Sequence, residues 1–297
     1  MDFKRKIVRD LYQSIVSPYV LNDEFTLPLS FLEIDDYIFN KWLLDLDKSP
    51  SELIKFVETH HSKRLGRYFE NLLHFFFLFH PNIEVLEAGK QIFNGKITIG
   101  EMDFILKNKK TQEIIHLETA IKYFAKEKGK SDFKYFICPN GTRNFGDKLD
   151  KTFSKQLKIT ERDETISFLK ESKYLPLKSY HFIKGILFYH PDEIVGFSHE
   201  RLNPEHLKSW WFYENEINTL NETSKYKIIH KLKWLSSEIE DDENKLMSKG
   251  QLIKFLKSHF EIISQGQLIV EFEKIDLTWK EKSRGFILDN KWPKMDL

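Results

Sequence analysis

Cysteine is almost absent from this sequence, because Cys138 is the single thiol among 297 residues. One cysteine excludes an internal disulfide framework and is typical of proteins that fold in a reducing compartment. A lone cysteine is more often a small buried hydrophobic residue than a reactive thiol. We therefore predict a cytoplasmic protein in which Cys138 has no catalytic role.

Long apolar runs are missing as well. The longest, FFFLF at residues 75–79, is far shorter than the roughly 20 residues that span a bilayer. The charged start of the sequence, MDFKRKIVRD, lacks the apolar stretch that a secretory signal needs. We therefore expect neither a secretory leader nor a membrane partner.

Neither sign of charge is in excess, since 46 Lys and Arg stand against 45 Asp and Glu. This balance gives no overall indication of a nucleic-acid or membrane partner, so a charged partner would have to bind a local patch. Residues 122–158 form such a patch, with nine Lys and one Arg against four acids. It is interpreted either as a phosphate-binding surface or as an ordinary lysine-rich, soluble one.

The spacing of the apolar residues predicts the secondary structure. It predicts helices over 3–21, 36–46 and 62–79, then strands over 83–93, 97–106 and 113–124. Further along it predicts a helix over 145–160, a strand over 181–191, helices over 224–240 and 249–262, and closing strands in QLIVEFEKI and RGFIL.

This order of elements predicts an α/β protein in three parts. The parts are an N-terminal helical segment at 1–61, an α/β core at 62–195, and a C-terminal helical segment with short terminal strands at 196–297. Within the last part, the adjacent Trp210 and Trp211 are expected to anchor a helix in a core rather than to stack on bases.

Two predicted strands carry acids where buried residues are expected: GEMDFIL at 100–106 and HLETAIKYF at 116–124. Because side chains alternate faces along a strand, a hairpin in the right register would place Asp103 beside Glu118. Paired carboxylates of this kind suit Mg²⁺ or Mn²⁺. The alternative is the solvated face of an ordinary antiparallel hairpin, and a one-residue slip would separate the two acids.

The order of a helix with a glutamate, strands with Asp and Glu, then a helix and a strand resembles the PD-(D/E)XK nuclease superfamily. Asp103 matches the first acid of its motif and Glu118 the second. The position two residues after Glu118 is Ala120 rather than the usual Lys, and Lys122 lies two residues further on. This departure leaves a non-catalytic module with the same fold as the alternative to an enzyme.

The resemblance extends to two helical positions. Glu70, in LGRYFENLL, matches an acid that the superfamily often places on its first core helix, and Gln156, in DKTFSKQL, resembles a glutamine on the helix after the third strand. The fold implied is a restriction-endonuclease-like core with a mixed central sheet flanked by helices, and with helical additions at both ends.

At finer grain the chain resembles a bacterial family catalogued as domain of unknown function 1853. The resemblance is carried by VRDLYQSIVSPYVL, LGRYFENLL, TIGEMDFIL, HLETAIKYF, CPN with DKLDKTFSKQL, and RGFILDNKWP. These pieces span nearly the whole chain. The family name implies no activity of its own.

The superfamily resemblance implies a nuclease in which Asp103 and Glu118 bind Mg²⁺ or Mn²⁺. Lys122 would orient the attacking water or neutralise developing charge, and Glu70 would add a ligand or a supporting contact. The expected partner is DNA, less readily RNA. A carboxylate-pair glycoside hydrolase fits the basic surroundings poorly.

The substrate contacts expected from the basic segment come from four residues. They are Arg143, Lys148, Lys151 and Gln156. The rival hypothesis is a module that binds nucleic acid or a protein partner without cleaving it.

Overall fold

The computed structural model describes residues 3–60, 62–193 and 197–293. Its helices are α1 (Lys6–Val16), α2 (Leu29–Leu32), α3 (Asp36–Lys48), α4 (Ser51–Thr59), α5 (Leu65–Phe79), α6 (Phe145–Lys151), α7 (Asp163–Glu171) and α8 (Lys249–Ile262). Its strands are β1 (Ile83–Asn94), β2 (Ile97–Asn108), β3 (Ile114–Lys126), β4 (Phe136–Ile137), β5 (Leu177–Tyr189), β6 (Leu207–Tyr213), β7 (Lys225–Ile228), β8 (Ile239–Glu240), β9 (Gln267–Ile275) and β10 (Thr278–Leu288).

The chain divides into two compact units, each built from several segments of the sequence. The first unit comprises Met1–Ile121, Lys148–Lys184 and Arg201–Asn203. The second comprises Lys122–Asp147, Gly185–Glu200 and Pro204–Leu297.

In the first unit the strand order is β1-β2-β3-β5, and both β1–β2 and β2–β3 are antiparallel. Helix α5 is apolar over most of its length, and Phe69, Leu72 and Phe76 are among its buried residues. A helix that is apolar nearly all round has to be buried on most sides. Here it packs against α1, α4 and β1.

In the second unit the order is β3-β5-β6-β10-β9-β7, with β5, β6 and β10 parallel and β9 antiparallel to both β10 and β7. Helix α8 begins at a capping box formed by Ser248 and Gln251. Its residues Leu252 and Leu256 join a core cluster that includes Tyr226 of β7.

The α/β class is confirmed, with a large mixed sheet flanked by helices. The helices predicted over 36–46, 62–79 and 249–262 are present as α3, α5 and α8, and the three predicted strands after α5 are present as β1, β2 and β3. Within the described ranges, every helix is too short or too polar to span a membrane.

The helix predicted over 224–240 is wrong. This stretch forms the short strand β7, one 3-10 turn at Lys231–Lys233 and the two-residue strand β8. Its apolar residues meet partners that are distant in sequence, as in the pairing of Tyr226 with Glu271 of β9. Pairing across such distances overrides local helical spacing.

The prediction of a helix around Trp210 and Trp211 is also wrong, because both lie in strand β6. Trp211 is fully buried, and its indole N–H donates to the carbonyl of Lys126 at 3.0 Å. Trp210 lies over Gly285 of β10, where a Cβ atom would come within 2.0 Å of the indole ring. The alternation of a strand thus gives the two indoles different surroundings.

Gly185 of β5 has φ +140°, and a Cβ atom there would lie 1.8 Å from the backbone carbonyl oxygen of Lys122. We expect Gly185→Ala to lower the free energy of unfolding by at least about 3 kcal/mol, because backbone cannot move aside as a flexible side chain can. Urea unfolding measures this. The matched control is Gly250→Ala in α8, where nothing lies within 4 Å of a built Cβ. An equal effect of the two substitutions would contradict the expectation.

Candidate functional site

The register of β2 and β3 brings two acids together. Phe104 pairs with Leu117 and Ile105 with His116, so that Asp103 and Glu118 occupy the next positions of the two strands. The sequence-based hypothesis required this register, and the slip of one residue that would separate the acids does not occur.

Beyond the Phe104–Leu117 pair, hydrogen bonds to side chains replace the backbone hydrogen bonds between β2 and β3. The Asp103 Oδ2 atom accepts hydrogen bonds from the Thr119 backbone N–H at 2.8 Å and from its hydroxyl at 3.1 Å. In the other direction, the backbone amide of Asp103 lowers the pKa of the Glu118 carboxyl. The Asp103 carboxylate therefore satisfies an amide of the neighbouring strand, which holds this acid where the strands separate.

Both carboxylate oxygens of Glu118 have donors of their own. The His116 Nε2 atom lies 2.9 Å from Oε1, and the Gln156 Nε2 atom donates to Oε2 at 2.7 Å. Glu118 is 2% exposed and His116 is 0% exposed, so the contact between them is shielded from water. A buried carboxylate with two donors is held in one orientation.

Behind His116 the hydrogen bonds continue. Its Nδ1 atom lies 3.2 Å from the Ser179 hydroxyl of β5, which lies 3.2 Å from the Thr160 hydroxyl. Burial lowers the pKa of His116 to about 4, so the ring is neutral near pH 7. A neutral ring that donates from Nε2 to Glu118 must accept at Nδ1, and the Ser179 hydroxyl supplies that proton.

Gln156 reaches Glu118 from a distorted helix. After α6 the chain continues as one π-helical turn, Thr152–Gln156, and then tightens into a 3-10 turn. The Thr152 hydroxyl lies 3.0 Å from the Gln156 Oε1 atom and so orients the amide. Single π turns within helices are frequent at functional sites.

A third acid, Glu70, comes from α5. Arg67, one turn earlier, places Nη1 2.8 Å from the Glu70 Oε2 atom and Nη2 3.1 Å from the Glu101 Oε1 atom. The pKa of Glu70 is raised to about 8, mainly by burial. The negative charge of Asp103 also raises this pKa, and the positive charge of Arg67 lowers it by less. Glu101 is thereby part of the same electrostatic group.

The negative charges of Asp103 and Glu118 are also poorly balanced by positive charge nearby. Burial raises the pKa of Asp103 to about 7, with the charge of Glu118 as the next cause. Burial likewise raises the pKa of Glu118 to about 7, against the hydrogen bonds that it accepts and the positive charge of Lys151. Removing water from neighbouring carboxylates favours their protonated forms unless a cation joins them.

The predicted basic residues are placed differently from one another. Lys151 is exposed at the end of α6, close enough for its charge to act on Glu118, and Lys148 is half-buried one turn earlier. Lys122 is half-buried on β3 and belongs to the second unit. Arg143 is exposed in the loop before α6, also in the second unit, and its carbonyl accepts the Cys138 N–H. Their roles in catalysis and substrate binding stay predictions.

Sequence reasoning missed several supporting residues. One of them is His116, which is a direct partner of Glu118. Its position two residues before Glu118, on the same strand face, was the available signal. Arg67 was signalled by its i, i+3 spacing to Glu70. Ser179 and Thr160 gave no signal, because only tertiary packing brings β5, which carries Ser179, and the 3-10 turn Leu157–Glu161, which carries Thr160, together behind His116.

A family model described as a domain of unknown function (DUF1853) matches residues 9–288. No curated protein matches the chain significantly, and no solved structure does. The match therefore covers the site and both units, and it assigns no activity to them.

The raised pKa values predict how stability depends on pH. A carboxyl whose folded pKa is raised contributes most stability below its ordinary pKa, and this contribution is lost as the pH rises through about 7. We therefore expect Asp103→Asn to stabilise the metal-free protein, relative to wild type, by about 1–3 kcal/mol more at pH 8 than at pH 5.

Urea unfolding in EDTA at the two pH values measures this difference. Asp150→Asn, at an exposed position on α6, is the control and is expected to show no such pH-dependent gain. If Asp103→Asn gave the same change at both pH values, the pKa of Asp103 would not be raised by its burial and by the charge of Glu118.

Proposed function

The chain belongs to the DUF1853 family, whose description gives no activity, and from the geometry of the site we propose that it is a metal-dependent nuclease. The reaction is hydrolysis of a phosphodiester bond in DNA, less readily in RNA. The observation that carries this proposal is a cluster of the buried Glu118 with the half-buried Asp103 and Glu70, whose charges act on one another, with pKa values raised to about 8 for Glu70 and about 7 for the other two. The order of elements around them, which resembles the PD-(D/E)XK superfamily, adds support.

The donor set fits Mg²⁺ or Mn²⁺. Among the described residues, no group of three or more His, Cys, Asp and Glu side chains is arranged to hold a metal by itself. Mg²⁺, however, commonly takes one or two carboxylates and leaves its other positions to water and substrate phosphate. Asp103 and Glu118 would supply the carboxylates, and the metal would activate a water and offset charge on the reacting phosphate.

The protein's own residues hold that arrangement in place. His116 and Gln156 prevent Glu118 from rotating, and Thr119 does the same for Asp103. Orienting contacts of this kind are typically worth 10- to 100-fold in metal affinity or activity. Arg67, between Glu70 and Glu101, is 46% exposed and presents its guanidinium where a phosphate could approach.

The helical segment that carries Gln156 also provides positive charge. Lys151, Lys155 and Lys158 are all exposed along it. Lysines in such a row would bind the phosphate backbone without reading its sequence. We assign them to substrate binding, with Lys151 nearest to the reacting phosphate because its charge already acts on Glu118.

One observation favours the second candidate, a nucleic-acid-binding or protein-binding module without catalysis. Position 120, where the superfamily carries its lysine, is a half-buried alanine. In the enzyme hypothesis, Lys122 or Lys151 has to supply the missing positive charge.

The first test is cleavage of single- and double-stranded DNA and RNA with Mg²⁺ or Mn²⁺. We expect Asp103→Asn and Glu118→Gln each to reduce cleavage by at least about 100-fold, because each removes a charged oxygen ligand. The control Asp150→Asn should retain full activity.

A wild-type protein that binds DNA in a salt-dependent manner but does not cleave it would support the module instead. Absence of both binding and cleavage would reject both candidates.

A second test concerns Lys151. We expect Lys151→Met to lower the cleavage rate by roughly 10- to 100-fold, because it removes a positive charge that acts on the site. Lys155→Met, on the same segment and equally exposed, is the matched control and should change the rate much less. Equal losses in the two variants would mean that Lys151 contributes only to general attraction of the nucleic acid.

A further inference from the structure

A cavity of about 520 Å³ opens beside the acids, within the first unit. One end is lined by Arg67, Glu70 and Asp103. The other end is lined by His60, His74 and Phe104. A ligand in this space would therefore meet charged groups at one end and ring systems at the other.

The fold of the first unit places both ends along one helix face. Arg67, Glu70 and His74 follow each other at spacings of three and four residues on α5, so they point to the same side. Opposite them lie the adjacent residues Asp103 and Phe104 of β2. The distance from the acids to the rings is thus about one helical turn, close to 5.4 Å along the axis.

The ring end of the cavity is built from edge-to-face contacts. The ring of His74 lies 5.7 Å from that of Phe104 and 6.3 Å from that of His60, at interplanar angles of 63° and 62°. His74 is half-buried, and among the described residues neither of its ring nitrogens has a hydrogen-bond partner. His60 is anchored through Nδ1 to the carbonyl of Phe56 at 2.8 Å. His74 is therefore a ring with free polar atoms that faces a cavity.

We propose that this cavity binds one unpaired nucleotide, with its base against His60 and His74 and its phosphate beside the Arg67 guanidinium at the other end. The inference rests on the nuclease function proposed above and names its substrate class: nucleic acid with unpaired nucleotides at ends, flaps or loops, rather than continuous duplex.

The size and shape of the cavity support the binding of a single unpaired nucleotide. The volume lies within the range of sites that bury one small ligand, and the cavity offers both a stacking wall and a polar end. A base within a duplex would first have to leave the stack, at a cost that an unpaired base avoids. Stacking on rings is tolerant of sequence, because every base has a π face.

The test is fluorescence anisotropy in EDTA, which measures binding without metal-dependent turnover. The probes are a blunt DNA duplex and the same duplex with a single-stranded overhang. We expect wild type to bind the overhang DNA roughly 5- to 100-fold more tightly than the blunt duplex, which is the contribution typical of stacking one base.

His74→Ala should remove this preference by weakening binding to the overhang DNA alone. His60→Ala, at an exposed position, is a second variant in case His74→Ala is unstable, and the exposed His230 of the second unit provides the control His230→Ala. Deoxyadenosine 5′-monophosphate should displace the overhang DNA from wild type, whereas inorganic phosphate at the same concentration should not.

Two outcomes would overturn the inference: equal binding of the two DNAs by wild type, or a preference that both folded histidine variants retain. If Asp103-dependent cleavage with Mg²⁺ were observed alongside either result, the nuclease function would stand and only the nucleotide cavity would be rejected. If no DNA bound in EDTA and none was cleaved with Mg²⁺ or Mn²⁺, both proposals would fail.

Discussion

Two carboxylates at the point where β2 and β3 separate are the constraint on which the rest of the site depends. Asp103 and Glu118 lie opposite each other, and burial raises the pKa of both, with the charge of Glu118 as a further cause at Asp103. Such a pair destabilises a fold unless its oxygens are well bonded. The backbone and side chain of Thr119, together with His116 and Gln156, supply those bonds.

The residues that support the two carboxylates lie on other elements of the first unit, which pack around the β2–β3 hairpin. Strand β5 brings Ser179 behind His116, the π turn brings Gln156, and α5 brings Glu70 with Arg67. The same face of α5 lines a cavity whose far end is aromatic. A cavity with charged groups at one end and rings at the other complements a nucleotide, which has a phosphate and a base. The proposed substrate is therefore consistent with the proposed reaction.

Where sequence reasoning succeeded, the signal was local. Alternation along β2 and β3 assigned Asp103 and Glu118 to matching faces, and the apolar run of α5 predicted a buried helix around Glu70. It failed over 224–240 and at Trp210 and Trp211, because these residues form strands through partners distant in sequence. Short apolar runs fit helix or strand equally, and the distant partner decides.

The sequence by itself determined the α/β class, the positions of the strands around the acids and the residue types that a metal-dependent reaction would need. Only the tertiary structure decided the register that brings Asp103 beside Glu118, the contact of His116 with Glu118, and the presence of a cavity between α5 and β2. The physical reason is that periodicity specifies which face a side chain occupies, whereas burial, pKa and cavity shape depend on what packs against that face.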